Sequence, residues 1–266
     1  DDLVQELIKI IDQPAPDGNG VPRLTAAESG DPEPPDPPVV LPADFCGDPT
    51  PSDSATAMTA RWIPLGGTTG WTGSTTVMVE LPDGRLVVGG AGLVKAAGTA
   101  VAGLAVRDPR TGAWQALSTL KTSTGRVASV YALAVDASRN LLYVAGNFSS
   151  VTRGNRRVAV VGIAQFNLKT GIWSKVGTGL SGKGISVRTL SLDAASGNLL
   201  VGGHFTRAGG VASANIATWS PARKRWLALG TGLKSDVVTA ALAGDGTVYA
   251  AGRFVDGLVS TWNPTT

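Results

Sequence analysis

An apolar run ending in glycine recurs four times in this 266-residue chain: Arg85 to Gly90, Asn140 to Gly146, Asn198 to Gly203 and Gly246 to Gly252. Around the third run the unit is complete. Asn198-Leu199-Leu200-Val201-Gly202-Gly203-His204-Phe205 leads through a glycine-rich loop to Asn215-Ile216-Ala217-Thr218-Trp219 and then to Arg225-Trp226-Leu227-Ala228-Leu229. A period of about 50 residues built from short apolar runs and turns marks radially repeated β structure. The 35 glycines and the low charged fraction of 16% suit many short strands joined by tight turns.

Laid over one another, the repeats predict four-stranded units. Blade one comprises residues 74–81, 85–90, 102–107 and 113–117; blade two 128–135, 141–146, 158–166 and 172–176; blade three 187–192, 199–203, 215–219 and 225–229. The last repeat supplies 237–242, 247–252 and 258–262 and stops before its tryptophan strand. Arg61-Trp62-Ile63-Pro64-Leu65-Gly66 is that missing strand by sequence, so pairing of 61–66 with 258–262 would close the ring and remove an exposed edge. The predicted fold is an all-β propeller of four visible four-stranded blades, or part of a larger ring, spanning 61–266. Gly90, Gly146, Gly203 and Gly252 share one phase, where crowded inner strands leave no room for a Cβ. Trp62, Trp114, Trp173 and Trp226 recur at spacings of 52, 59 and 53 and read as packing between blades.

The pattern Gly-Gly-x-Phe, glycine-rich loop, Asn-Ile-Ala-x-Trp and Trp-x-x-Leu-Gly-x-Gly-Leu resembles the kelch-type and galactose-oxidase-like β-propellers. It is especially similar to the repeats of fungal cortical polarity markers and bacterial surface propellers. Blade one departs from it, with Gly92 in the phenylalanine position and Val106 in the aromatic one. That resemblance implies more than four blades in a typical ring.

Residues 1–60 are a different kind of chain. They carry 12 acids against Lys9 and Arg23, a net −10, whereas 61–266 carry 8 acids against 21 bases, a net +13. Eleven of the 16 prolines fall between Pro14 and Pro51, which predicts extended, polyproline-like chain. Asp1 to Asp12 reads as a three-turn helix with Leu3, Leu7, Ile10 and Ile11 on one stripe, too short to persist without a surface to cover it. The tail either docks on a basic body, its own or a neighbour's, through that stripe together with Phe45 and Cys46, or is a solvated linker. The chain has neither an initiator methionine nor a signal-peptide pattern, so Asp1 reads as a mature or cropped start. No window is apolar enough to span a membrane.

Convergent catalytic groups are scarce. His204 is the one histidine, which excludes a two-histidine copper centre and leaves a strand position facing solvent as its reading. The body's acids, Glu80, Asp83, Asp108, Asp136, Asp193, Asp236, Asp245 and Asp256, fall mostly in hairpin turns. Asp136 and Asp193 recur in phase, but one acid per blade is too few oxygen ligands for calcium. No cofactor or metal is expected, and the chain reads as a non-enzyme, with an enzymatic propeller as the third reading. Lone Cys46 and the sequon Asn147-Phe148-Ser149 point to an extracellular or cell-surface location with Asn147 as a glycosylation site.

In a propeller, the loops joining strands two and three and those joining successive blades share a face. They carry Lys95, Lys121, Arg126, Arg153, Arg156, Arg157, Lys183, Arg207, Lys234 and Arg253. Aromatics for base stacking are not interleaved with these bases, so nucleic acid is not the expected partner. Trp71, near the phase of Leu180 and Leu233, reads as a plug of the ring. The expected partners are protein, as subunits of an assembly held by the acidic tail. The alternative is an acidic polysaccharide bound in the manner of a lectin.

Overall fold

The computed structural model describes Leu65, residues 70–254 and residues 257–264. These form a β-propeller body with no helix among the described residues. The expectations for residues 1–60, including the docking residues Leu3, Leu7, Ile10, Ile11, Phe45 and Cys46, lie outside the described residues. So does the closing strand 61–66, apart from Leu65.

Blade one contains β1 (Thr72–Glu80), β2 (Leu86–Ala96), β3 (Thr99–Ala100), β4 (Gly103–Arg107) and β5 (Trp114–Lys121). Blade two contains β6 (Val130–Asp136), β7 (Leu141–Gly146), β8 (Ser150–Arg153), β9 (Arg156–Ala159), β10 (Ile163–Asn167) and β11 (Trp173–Ser174), with β12 (Leu180–Ser181) following it. Blade three contains β13 (Ser186–Leu192), β14 (Leu199–His204), β15 (Arg207–Ala208), β16 (Val211–Ala212), β17 (Ile216–Ser220) and β18 (Arg225–Ala228). Blade four contains β19 (Val237–Leu242), β20 (Val248–Phe254) and β21 (Gly257–Trp262). The antiparallel ladders β1-β2-β4-β5, β6-β7-β10-β11, β13-β14-β17-β18 and β19-β20-β21 are the blades that the sequence repeats mark out.

Two departures matter. The strand expected over 158–166 is two strands, β9 and β10, because the chain turns between them with Gly162 at φ +71°. The glycine-rich loops after the second strands are themselves short hairpins. The β8–β9 hairpin pairs with the end of β5 in the preceding blade, Leu120 opposite Val151. The β15–β16 hairpin pairs likewise with β12, Leu180 opposite Ala208. Adjacent blades are thus tied by backbone hydrogen bonds as well as by packing.

The innermost strands follow one another around the body, β1 against β6, β6 against β13 and β13 against β19, and no comparable packing joins β19 to β1 among the described residues. Each innermost strand carries a bulge at the same place, between Thr75 and Val77, Val130 and Ala132, Val187 and Thr189, and Val237 and Thr239. The bulge aims a backbone carbonyl at the neighbouring strand. A Cβ on Gly90, Gly146, Gly203 or Gly252 would collide with the carbonyl oxygen of Ser74, Ser129, Ser186 or Asp236 respectively. The fourfold glycine therefore has one steric cause.

The seams between blades are apolar. Leu104, Val130 and Phe148 are buried in a cluster shared by blades one and two; Ile163, Val187 and Phe205 in one shared by blades two and three; Leu200, Ile216 and Val237 in one shared by blades three and four. Of the four recurrent tryptophans, Trp173 and Trp226 pack between blades, Trp114 packs within blade one, and Trp62 lies outside the described residues. Trp173 Nε1 donates to Ser118 Oγ of blade one at 2.6 Å, and Trp226 Nε1 donates to the Val176 carbonyl just after the last strand of blade two at 3.2 Å. Trp173→Phe keeps the ring but loses the first bond, and should lower unfolding free energy by about 1 kcal/mol in urea titration. Gly146→Ala, which drives a methyl group into a backbone carbonyl, should cost more, roughly 2 kcal/mol or above.

Candidate functional site

All ten bases of the expected basic face are exposed; Lys121 ends β5 and Arg253 lies near the end of β20, and the other eight lie on the second-to-third-strand hairpins or on the segments between blades. The structure brings three of them together. Arg153, Arg156 and Arg157, at the tip and return strand of the β8–β9 hairpin, line a cleft of about 410 Å3 with Val158, Thr170, Gly171 and Ile172 over Trp173. Arg153 is held. Its guanidinium donates to the Gly171 carbonyl at 2.9 Å and lies 5.3 Å from the centre of the Phe166 ring. Arg156 and Arg157 form no ion pair with another described residue. Arg157 also borders a second cleft of about 540 Å3, with Lys121 and the hydroxyls of Thr119, Thr122, Ser123, Ser150 and Thr152. The remaining six, Lys95, Arg126, Lys183, Arg207, Lys234 and Arg253, line neither cleft.

The carboxylates that could neutralise these bases are engaged elsewhere. Asp108 accepts from the Arg110 and Thr111 amides, and those backbone bonds hold its carboxyl below the usual range. The Ser196 hydroxyl and the Ala195 amide do the same for Asp193, and the Thr247 amide for Asp245. For Asp136, burial pushes the carboxyl up. The Ser138 hydroxyl, the Arg139 amide and the Arg139 guanidinium at 3.0 Å together outweigh it and bring the value down. Arg139 also donates to the Ser196 carbonyl at 3.1 Å, linking the first turn of blade two to that of blade three. Turn capping accounts for these aspartates, and no group of three or more metal-ligating side chains forms among the described residues.

His204 has a partner that sequence spacing did not reveal. Its Nδ1 lies 2.6 Å from the Asp236 carboxylate, 32 residues on, and its Nε2 lies 3.0 Å from the Lys183 carbonyl. The histidine side chain, at the end of β14, is 43% exposed, so it faces solvent as expected while holding both contacts. Both nitrogens are committed, and a carbonyl stands where a triad would need a nucleophile. Asn147, half-buried just after β7, accepts from the Ser129 amide at 2.8 Å through its side-chain oxygen. Trp71 packs edge-on against Trp114, with ring centres 5.1 Å apart, in a cluster belonging to blade one. A side chain plugging the ring would not be held in this way.

A family model described as the Rax2 C-terminal beta propeller domain matches residues 163–257, from β10 of blade two to the start of β21. No curated protein sequence matches. Among solved structures, the extracellular domain of a putative one-component system from B. thetaiotaomicron is similar at TM-score 0.47 and 13% identity over 71% of this chain and 21% of that one. U3-55K is similar at TM-score 0.45 and 13% identity over 71% and 49%, and the RRP9 WD40 repeats at 0.45 and 14% over 71% and 48%. The chain thus spans between about a fifth and a half of those structures' lengths.

The capped aspartates set a pH dependence. Their folded values lie below the unfolded value of 3.8, so the stability they confer is present above pH 4 and is lost as pH falls through the folded values. Urea midpoints should hold from pH 7 to 5 and drop below pH 4. Asp136→Asn should cost about 1.5–3 kcal/mol at pH 7 and converge with the unsubstituted protein as pH falls through the lowered folded value of Asp136.

Proposed function

We propose that this chain is a non-enzymatic protein-interaction module of the cell surface, and that its acidic, proline-rich tail docks on the basic face of its own body or of a neighbour's. The observation that carries this is the arginine cleft: three guanidinium groups on one hairpin, none of them in an ion pair with another described residue. A polyanionic segment supplies what the body does not. Residues 24–60 hold seven acids and no base, and prolines keep such a segment extended at low ordering cost. The resemblance of the repeats to cell-surface polarity markers and the match over 163–257 support the setting.

The second cleft favours a second reading. Five hydroxyls beside Lys121 and Arg157 suit an acidic polysaccharide, whose own hydroxyls would be matched there.

Limited proteolysis of the full chain separates the two. If the tail docks, Arg153→Glu, Arg156→Glu and Arg157→Glu together should speed cleavage within residues 1–60 severalfold. Raising salt should do the same, because charges at an exposed surface are screened beyond about 10 Å at 0.1 M. Leu7→Asp with Ile11→Asp should release the tail at any salt. Equal cleavage of all forms, with a polyuronate binding only the unreversed protein, would replace docking by the polysaccharide reading.

A further inference from the structure

The β8–β9 hairpin covers the end of β5 but leaves an edge of its own. β9 ends the strand path β1-β2-β4-β5-β8-β9 and pairs with β8 alone. The Val160 amide donates to the Ser149 carbonyl at 3.1 Å. In the alternation of an antiparallel ladder, that bond makes Arg156 and Val158 the residues joined to β8, and it turns the amide and carbonyl groups of Arg157 and Ala159 outward. No backbone hydrogen bond joins those outward groups to another described residue.

The space along this edge is open. The cleft of about 410 Å3 lies between Arg156, Arg157 and Val158 on one side and Gly171, Ile172 and Trp173 on the other. A smaller cavity of about 50 Å3 lies at the far end of β9, between Ala159 and Lys175. Blade three fills the equivalent space. Its β15–β16 hairpin packs against β18, and Gly209 leaves no room for a Cβ beside the Trp226 ring. In blade two no comparable packing joins β9 to β11, and a Cβ on Gly154 would meet nothing within 4 Å.

We propose that β9 is a strand-addition site for an extended, acidic, proline-poor segment of another protein, which pairs with the outward groups of Arg157 and Ala159 while its carboxylates meet Arg156 and Arg157. The proposal rests on the reading of this face as the one that takes an acidic segment, and it adds the backbone as a second element of recognition. An open edge accepts any extended chain unless its side chains sort the candidates. Here the sorting is by charge. No arginine of the hairpin is in an ion pair with another described residue, so an acidic strand gains contacts that a neutral one does not. A second copy of the hairpin would bring its own arginines beside these, and like charges across a strand pair are destabilising. The chain's own residues 14–51 hold 11 prolines and so lack many of the amide donors a ladder needs; the edge suits a different segment.

Binding of a synthetic peptide to the full chain, followed by fluorescence anisotropy, tests this. The probe is a peptide of about eight residues alternating glutamate and threonine, a typical strand length. Two further probes carry N-methyl groups on all the glutamate amides or on all the threonine amides. A strand paired along one edge uses only alternate amides, so one methylated probe should bind at least about tenfold more weakly than the parent and the other within about twofold of it. Ala159→Pro removes an outward amide where an edge strand tolerates proline; it should melt normally and weaken the parent probe. Each titration is repeated with the Leu7→Asp, Ile11→Asp chain, so that a docked tail does not mask the edge. Two methylated probes that bind alike, or an Ala159→Pro chain that binds the parent unaltered, would overturn strand addition and leave the acidic-segment reading standing. No binding of the parent probe to either chain would also overturn it, and tail docking is judged separately by proteolysis.

Discussion

Everything in this body depends on one close approach, that of the bulged first strand to a glycine on the second. The bulge directs a carbonyl into the space a Cβ would fill, and the four glycines in that phase are the residues that permit it. With the inner strands drawn together, the residues beside them reach the next blade: Val130 lies against Gly89, and Val237 against Gly202. Burial of the seam aliphatics contributes about 1.5–3 kcal/mol apiece. A single blade has two apolar faces and cannot cover either alone, so stability resides in the seams. The hairpin ladders from β5 to β8 and from β12 to β15 protect what would otherwise be strand ends open to pairing.

The same architecture sorts charge. Aspartates are concentrated in the turns because their carboxylates cap turn amides, and such a bond satisfies a backbone donor that the ladder leaves free. Each acid so placed is held by its own turn. Some arginines are held to backbone carbonyls, Arg153 to that of Gly171 and Arg207 to that of Gly210, but none of the ten bases of the expected face is in an ion pair with another described residue. With 21 bases and 8 acids, most of the acids engaged by turn amides, the body has few carboxylates left to pair with its bases.

Blade boundaries were legible because inner strands read as apolar runs and because glycine at the bulge has no substitute. The tryptophan spacing told the same story, and Trp173 and Trp226 bridge blades as their recurrence implies. The short hairpins were hidden. Strands such as Arg207–Ala208 and Val211–Ala212 hold two residues each, too few for alternation to register, and glycine-rich sequence reads as loop. The His204–Asp236 contact was hidden for another reason: the two residues are joined by the ring geometry and not by any local pattern. Of the ten bases, only the Arg-Gly-Asn-Arg-Arg tip of 153–157 hinted in the sequence that three would line one cleft.

That cleft shows how a repeat built for stability comes to carry a difference. The hairpin in blade two is attached much as the one in blade three is, by a ladder to the strand that ends or follows the preceding blade, β5 or β12, so its position is fixed by structure common to both. Its tip is free to vary. Blade three places Gly209 and Gly210 there, whereas blade two places Gly154 and Asn155 between arginines. Because Arg153 is fastened to Gly171 and lies over the Phe166 ring, an anion docking there as proposed would leave only Arg156 and Arg157 to be ordered. Ordering a long side chain costs about 0.5–1.5 kcal/mol, so fixing one of three in advance favours binding at this hairpin over a patch of equal charge on a loose loop. Electrostatics alone would spread an anionic partner over all ten bases; under the docking proposal, this fixed geometry would give it a place to settle.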